Sequence, residues 1–230
     1  MYYLLDETLY FPPIEKFADE YGILAIGGDL SVDRLLLAYR SGIFPWYSED
    51  EPITWWSPDP RFVLFPQDLK ISKSMKQILK KNVFQVTFDT AFRQVITECQ
   101  QIKRVGQKGT WITHEMLEAY VQLHELGYAH SVEVWQSEEL VGGLYGVSLG
   151  QMYFGESMFS RVSNSSKTGF IVLVQKMIEK GIKLIDSQVY TNHLASLGAI
   201  EIPRKEYLRL LAQWVNQPTL RGKWTEWLAE

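Results

Sequence analysis

Two polar residues in the string KLIDSQVYTNH have the types and spacing of a reaction site. Asp186 and Gln188 lie two residues apart in a segment that is apolar enough to be a core strand. Residues at that spacing project from one face of a strand, so a carboxylate and an amide stand side by side, while Ile185 and Ser187 project from the other face. An unpaired buried charge is costly. The pair therefore belongs to a reaction site, to a satisfied structural network, or to a solvated strand end.

A second carboxylate, Glu156, lies between Phe154 and Phe159 in the strand-like run YFGESMFSR. In apolar surroundings a carboxylate binds a cationic group, or its pKa is raised so that it can transfer a proton. An ion pair with Arg161 and simple exposure to water are the alternatives. Nearby segments also supply apolar residues that suit either a pocket or an ordinary core: Leu144, Tyr153, Met158, Phe170, Leu173, Met177 and Ile185.

Aromatic and basic residues raise the possibility of a nucleic-acid partner. Several of the eight tryptophans, among them Trp46 and Trp111, stand beside Gly or Pro in loops. A loop tryptophan suits stacking on a base, which stabilises by ~1–3 kcal/mol per base, or packing between two parts of the chain. The net charge is -4, yet residues 70–108 carry nine Lys and Arg against two acids. Such asymmetry indicates one basic face for a polyanion, or else a solvated lysine-rich helix.

Composition excludes several other classes of protein. Cys99 is the single cysteine, which rules out an intrachain disulfide and a thiolate metal cluster and fits a reducing cytoplasm. The amino terminus lacks the basic region of a signal peptide, and no run approaches the ~20 apolar residues of a membrane span. P-loop, dinucleotide-binding, zincin and hydrolase motifs are absent, and the histidines lack metal-ligand spacing. We therefore expect no metal, no cofactor and no membrane association.

The elements that must position these residues form an α+β pattern. The first 60 residues carry one helix, within 27–42, and then a stretch rich in Pro and Trp. From residue 61, strands at 61–66 and 84–89 flank a helix over 72–81, and an amphipathic helix follows at 112–127. Three strand-like runs, a helix ending at Gly181 and a strand at 183–189 come next. We predict a small N-terminal domain, 1–60, packed on a larger domain, 61–230.

Strings along the chain, in order, resemble those of the leucyl/phenylalanyl-tRNA-protein transferases. They are GGDLS (27–31), GIFPWY and WWSPDPR (within 42–61), KGTWIT (108–113), HELGYAHSVEVW (124–135), LVGGLYGV (140–147), FGESMFSR (154–161), KLIDSQV (183–189) and ASLGA (195–199). The resemblance covers roughly residues 11–210. It implies transfer of Leu or Phe from aminoacyl-tRNA to the α-amine of a protein that begins with Lys or Arg, which marks that protein for degradation by the N-degron route. It also implies a C-terminal domain related to the N-acetyltransferase (GNAT) superfold.

The resemblance assigns roles to the candidate residues. Asp186 and Gln188 become the catalytic pair, and Glu156 binds the basic first residue of the acceptor. The seven apolar residues named above become the pocket for the Leu or Phe side chain. Trp46 and Trp111 contact the 3'-terminal adenosine, and a tRNA-backbone patch is formed by Lys73, Lys76, Lys80 and Lys81.

Two departures from the family pattern carry expectations of their own. Leu173 and Met177 stand where the family has larger aromatic residues, so we expect an altered balance between Leu and Phe. Gln77 stands where another cation is expected, which predicts weaker tRNA binding or a contribution from Lys70. Two other functions remain open at this point: an acyl-CoA-dependent N-acetyltransferase and a tRNA-binding module without catalysis.

Overall fold

A computed structural model describes residues 2–102 and 110–228 of the chain. Lys103, Arg104 and Lys108 of the basic segment lie outside the described residues. The first part of the chain forms a four-stranded sheet among the residues described, in the order β1-β2-β4-β3. Its strands are β1 (Tyr3–Leu5), β2 (Ile23–Gly27), β3 (Phe44–Pro45) and β4 (Thr54–Trp56), and its helices are α1 (Ile14–Phe17) and α2 (Val32–Arg40).

A second sheet begins at residue 61. Among the described residues it has seven strands, in the order β11-β5-β10-β9-β8-β7-β6. Its strands are β5 (Arg61–Leu64), β6 (Gln85–Phe88), β7 (Ala129–Gln136), β8 (Glu139–Leu149), β9 (Met152–Ser160), β10 (Leu184–Gln188) and β11 (Ile200–Ile202). The helices are α3 (Lys73–Lys81), α4 (Phe92–Gln101), α5 (His114–Glu125), α6 (Ser165–Glu179), α7 (Asn192–Ala195) and α8 (Arg204–Trp214). The predicted α+β class is confirmed.

Strands β9 and β10 are parallel, whereas the other neighbouring strands of this sheet are antiparallel. A parallel pair needs a crossover connection, and α6 supplies it. Because side chains alternate across a strand, β9 contributes Tyr153 to one core cluster and Phe154 to the other. The first cluster packs α3, α6 and the C-terminal residues on one face of the sheet. The second packs α2, α4, α5 and α8 on the opposite face.

The helices of the described residues are short, and the longest of them, α6, has 15 residues. None of them combines the length and the hydrophobicity that crossing a bilayer requires.

Candidate active site

A cavity of about 450 Å³ opens between the two sheets. Phe44, Pro45 and Trp46 form its wall on the side of the small sheet, where β3 ends. Strands β8, β9 and β10 and helices α6 and α7 form the opposite wall. Glu156 and Gln188 both line this cavity, so the fold brings two of the three predicted polar residues together.

The carboxylate of Glu156 is held by three side chains from three different elements. Tyr39 Oη donates to Oε1 at 2.8 Å, and Tyr120 Oη donates to Oε2 at 3.0 Å. Gln188 Nε2 also donates to Oε1, at 2.9 Å. The two tyrosine hydroxyls also lie within hydrogen-bond distance of each other, but each has a single proton, so they donate in only two of these three contacts at a time. The carboxylate is therefore fixed in direction by neutral donors alone.

No Lys, Arg or His of the described residues forms an ion pair with Glu156. The predicted alternative, a pair with Arg161, is not formed, because Arg161 binds Glu98 at 2.6 Å. Burial raises the pKa of Glu156 from 4.5 to about 7, although the hydrogen bonds from Tyr39, Tyr120 and Gln188 work in the opposite direction. A half-buried carboxylate on a cavity wall, with no cation among its described neighbours, favours a cationic ligand, because such a ligand supplies the missing charge.

Asp186 is in a different environment, because it does not line the cavity and is fully buried. Arg61 from β5 donates Nε to Oδ1 at 2.8 Å and Nη2 to Oδ2 at 2.6 Å. Tyr207 Oη from α8 donates to Oδ2 at 2.7 Å. This bidentate arrangement satisfies the carboxylate completely, so the structural network that the sequence left open exists around Asp186.

Asp186 reaches Gln188 through the backbone. The amide N–H of Gln188 donates to Asp186 Oδ1 at 2.9 Å. The pairing of β10 with β5 shifts register between these two residues, and Gln188 has a φ of +66°, which non-glycine residues seldom adopt. Asp186 thus holds the backbone turn from which the Gln188 side chain extends to Glu156.

Only some of the residues predicted for the aminoacyl pocket line the cavity. The cavity wall contains five of the seven: Leu144, Tyr153, Met158, Phe170 and Ile185. Leu173 and Met177 do not line the cavity, as far as the described residues form its wall. Both are completely buried in the core. They share the face of α6 with Phe170, but they lie farther along the helix axis and pack against the sheet. Helical spacing identifies which face of a helix is buried, but it does not show where along the helix axis that face meets the cavity.

The sequence did not predict four residues that hold the two carboxylates: Tyr39, Tyr120, Arg61 and Tyr207. Each lies far along the chain from its carboxylate: 117 residues separate Tyr39 from Glu156, and 125 separate Arg61 from Asp186. One weak signal was present for Arg61, since a charged residue followed by the apolar run FVLF needs a buried partner. The tyrosines lie in amphipathic helices and read as ordinary core residues.

The residues predicted to contact tRNA occupy two sites. Trp46 and Trp111 both line the cavity, and Trp46 packs against Trp56 with ring centroids 5.4 Å apart. The four lysines of α3 are exposed, on the side of the helix opposite the buried Met75. The cavity therefore has an aromatic edge, while the basic helix forms a separate surface.

Comparison with known proteins identifies the family. A family model described as leucyl/phenylalanyl-tRNA protein transferase matches residues 63–212, and the model of that family's N-terminal domain matches residues 28–59. The chain belongs to the leucyl/phenylalanyl-tRNA-protein transferase family. It is therefore an enzyme whose substrates are aminoacyl-tRNA and protein, and its reaction is aminoacyl transfer from the first to the second.

Relatives described as leucyl/phenylalanyl-tRNA-protein transferases come from several bacteria. The protein of Flavobacterium johnsoniae is 60% identical over 211 residues, which are 92% of this chain and 99% of that relative. The protein of Myxococcus xanthus is 55% identical over 227 residues, 98% of this chain and 97% of the relative. That of Syntrophus aciditrophicus is 58% identical over 221 residues, with 96% and 92% covered. The family assignment thus applies to nearly the whole chain.

Solved structures give a looser likeness. L-PGS from Bacillus licheniformis aligns with a TM-score of 0.40 and 13% identity, over 75% of this chain and 57% of that one. A GCN5-related N-acetyltransferase from Kribbella flavida aligns with a TM-score of 0.36 and 8% identity, over 72% and 58%. Both alignments are distant, with TM-scores below 0.5.

Proposed function

We propose that this enzyme transfers Leu or Phe from its tRNA to the α-amine of a protein that begins with Lys or Arg, and so marks that protein for degradation by the N-degron route. The observation that carries the proposal is the cavity-lining carboxylate of Glu156, which forms no ion pair with a described residue and lies beside Gln188. Aminoacyl-tRNA is made in the cytoplasm, and we propose that the enzyme works there.

Glu156 supports the choice of a basic acceptor. A Lys or Arg side chain in the cavity would give this carboxylate the charge partner that Tyr39, Tyr120 and Gln188 cannot supply, since they are neutral. Hydrogen bonds between charged groups are stronger than those between neutral ones. An acidic or neutral first residue would leave the carboxylate uncompensated, so the site discriminates by charge.

The apolar part of the cavity supports Leu and Phe as the transferred residues. Leu144, Phe170 and Ile185 offer contacts to a hydrophobic side chain and no hydrogen-bonding group. Such a surface discriminates a missing methylene by only ~1–3 kcal/mol, so one pocket accommodates both amino acids. Leu173 and Met177 lie behind this wall, and we expect them to alter the balance between Leu and Phe by moving Phe170.

The amide of Gln188 supports a role in orienting the attacking amine. Its Nε2 is occupied by Glu156, so Oε1 is the atom that accepts a hydrogen bond from the acceptor's α-amine. The neutral amine must lie ~3–3.5 Å from the ester carbonyl carbon. The new C–N bond forms as the ester C–O bond breaks, and the proton lost by the amine balances the one gained by the 3'-oxygen of the tRNA. Asp186 contributes by fixing the Gln188 backbone.

Two further groups support the tRNA substrate. Trp46 and Trp111 lie on the cavity wall, where one or both can stack on the terminal adenine. Lys73, Lys76, Lys80 and Lys81 form an exposed basic surface suited to a phosphate backbone. The adenosine contact places the aminoacyl ester in the cavity, and the lysines orient the rest of the tRNA.

The test is a transfer assay with two acceptors that differ only in the first residue. Radiolabelled leucyl-tRNA is mixed with the enzyme and a protein that begins with Arg, and in parallel with the same protein beginning with Glu. We expect label on the first protein only, and likewise with phenylalanyl-tRNA. Equal labelling of both acceptors would contradict the role of Glu156. Labelling by acetyl-CoA in place of charged tRNA would contradict the aminoacyl donor.

A further inference from the structure

The last residues of the chain pack against the large sheet although they form no regular helix or strand in the part described. We call residues 216–228, which lie beyond the family-model match ending at 212, the C-terminal strap. Trp224 and Trp227 of the strap are only 2% and 8% exposed. Both belong to the same core cluster as the apolar wall of the cavity.

The strap is anchored at its far end through Trp224. The Trp224 backbone N–H donates to Asp89 Oδ2 at 2.8 Å, and the same oxygen binds His130 Nδ1 at 2.9 Å. The indole is stacked on the His130 ring, with centroids 3.6 Å apart and planes 6° from parallel. Trp227 is stacked on the other side of Trp224, at 3.9 Å. Both faces of Trp224 are therefore covered, so its position is tightly defined.

A second group of contacts fixes the start of the strap. Thr219 Oγ1 accepts from Gly150 N at 2.8 Å, and Gly222 N donates to Gly127 O at 3.1 Å. A Cβ on Gly127 would lie 2.5 Å from Gly222 N, so only glycine permits this approach. The segment is thus held at both ends and cannot shift as a unit without breaking several backbone contacts.

Trp224 connects the strap to the cavity through Tyr153. The two ring centroids are 6.1 Å apart, and Tyr153 lines the cavity. The Tyr153 hydroxyl has no hydrogen-bond partner among the residues described, so packing alone positions its ring. On another side the ring lies over Gly146, where an added Cβ would come 2.7 Å from the hydroxyl. Trp224 is a neighbour of Tyr153 that belongs to neither the sheet nor α6.

We propose that Trp224 is a positioning residue that sets the depth of the aminoacyl pocket, by holding Tyr153 against the cavity. The proposal rests on the proposed function, since it takes the cavity to be the site of the Leu or Phe side chain. Interiors are packed without slack, so space opened behind a ring lets that ring withdraw. The loss of Trp224 then enlarges the pocket and favours the bulkier Phe over Leu.

The test compares the Trp224→Ala, Trp224→Phe and Trp227→Ala variants with the wild-type enzyme. For each, kcat/KM is measured with phenylalanyl-tRNA and with leucyl-tRNA on the acceptor that begins with Arg, at a temperature where near-ultraviolet circular dichroism shows folded protein. We expect Trp224→Ala to raise the Phe-to-Leu ratio by about threefold to tenfold, in the range that hydrophobic pockets discriminate. Trp224→Phe should restore the ratio. Trp227→Ala uncovers one face of Trp224 but keeps its stack on His130 and its contact with Tyr153, so it should lower Tm and shift the ratio by less than Trp224→Ala does.

Three outcomes overturn the proposal. The first is a Trp224→Ala enzyme in which both rates fall equally, because that is the behaviour of a purely structural residue. The second is a ratio that shifts as much in Trp227→Ala. If Trp224→Ala does not fold, Trp224→Leu takes its place, and an unchanged ratio there is the third. A wild-type enzyme that transfers neither amino acid contradicts the proposed function instead, so the two failures are distinguishable.

Discussion

Asp186 and Glu156 are carboxylates on neighbouring parallel strands, but Asp186 is fully buried whereas Glu156 is half-buried at the cavity wall, and their partners differ in charge. Asp186 is paired with a guanidinium, since Arg61 binds both of its oxygens. Burial alone would lower the pKa of Arg61, but Asp186 outweighs burial and raises it. Glu156 is surrounded by two tyrosines and an amide, and its pKa is raised to about 7 because burial dominates.

Charge compensation is the main contrast: a carboxylate paired within the chain is a structural anchor, whereas one without a charge partner is suited to bind a cationic ligand, as a receptor. The Asp186 site is complete within the chain, so it joins β5, β10 and α8 and holds the Gln188 backbone in place. The Glu156 site is geometrically ordered but electrostatically incomplete, and it faces the cavity. A ligand that brings a cation improves the second site and has nothing to add to the first.

Asp186→Ala should reduce the free energy of unfolding by about 3–5 kcal/mol, because Arg61 would remain buried without its counter-charge. Urea denaturation measures this loss. Glu118→Ala removes the partner of Arg93 in an exposed pair and should leave the free energy of unfolding nearly unchanged. A loss for Asp186→Ala as small as that of the control would mean that Asp186 is not an anchor.

Glu156→Gln should lower kcat/KM for an acceptor beginning with Arg by about tenfold to a hundredfold. The estimate follows from the ~1.5–3 kcal/mol of a hydrogen bond to a charged group. Initial rates at low acceptor concentration measure it. Glu98→Gln, the same change at the carboxylate that binds Arg161, should leave the rate unchanged. If the Glu156→Gln enzyme still preferred an acceptor beginning with Arg over one beginning with Glu, the receptor role would be excluded.

The pH dependence should reveal the raised pKa of Glu156. A cation is bound by the ionised carboxylate, so kcat/KM for the Arg acceptor should rise as pH increases through about 7. Deprotonation of the acceptor's α-amine, near pKa ~7.7–8.0, adds a second rise. The Glu156→Gln profile should retain only the amine step. Identical profiles for the two enzymes would argue against the raised pKa.

Stability should show the same titration with the opposite sign. The folded-state pKa of Glu156 is raised above 4.5, so its contribution to stability is fully present below pH 4.5 and is lost as pH rises through about 7. The free energy of unfolding of the wild-type enzyme should therefore fall across that interval, relative to Glu156→Gln. Denaturant titrations at several pH values measure the difference between the two proteins. A constant difference would contradict it.

Tyr120→Phe should have the smallest effect. The hydroxyl donates to Glu156 Oε2 and lowers the pKa of that carboxyl. Its removal should move the midpoint of the activity profile to higher pH by a fraction of a pH unit. Tyr47→Phe is the matched control, because the Tyr47 hydroxyl faces Thr113 and not Glu156. A shift to lower pH in Tyr120→Phe would mean that the hydroxyl does not stabilise the ionised form.

The sequence by itself determined the α+β class, the amphipathic helices, the strand that carries Asp186 and Gln188, and the family. These properties depend on periodicity and on contiguous strings, both of which are local. Glu156 and Gln188, both predicted as site residues, are 32 residues apart and are hydrogen-bonded to each other, while their roles stay a prediction. The two residues meet because each lies on a strand and the sheet places those strands side by side.

The difference between the two carboxylates depends on tertiary packing. Arg61, Tyr39, Tyr120 and Tyr207 come from other elements, and no local pattern connects them with Asp186 or Glu156. The same applies to Leu173 and Met177, which lie on the predicted helix face but behind the cavity wall. Periodicity specifies which face of an element is buried, whereas the packing of distant elements specifies what that face meets. The packing of distant elements therefore decides whether a carboxylate is paired within the chain, as Asp186 is, or left without a charge partner, as Glu156 is.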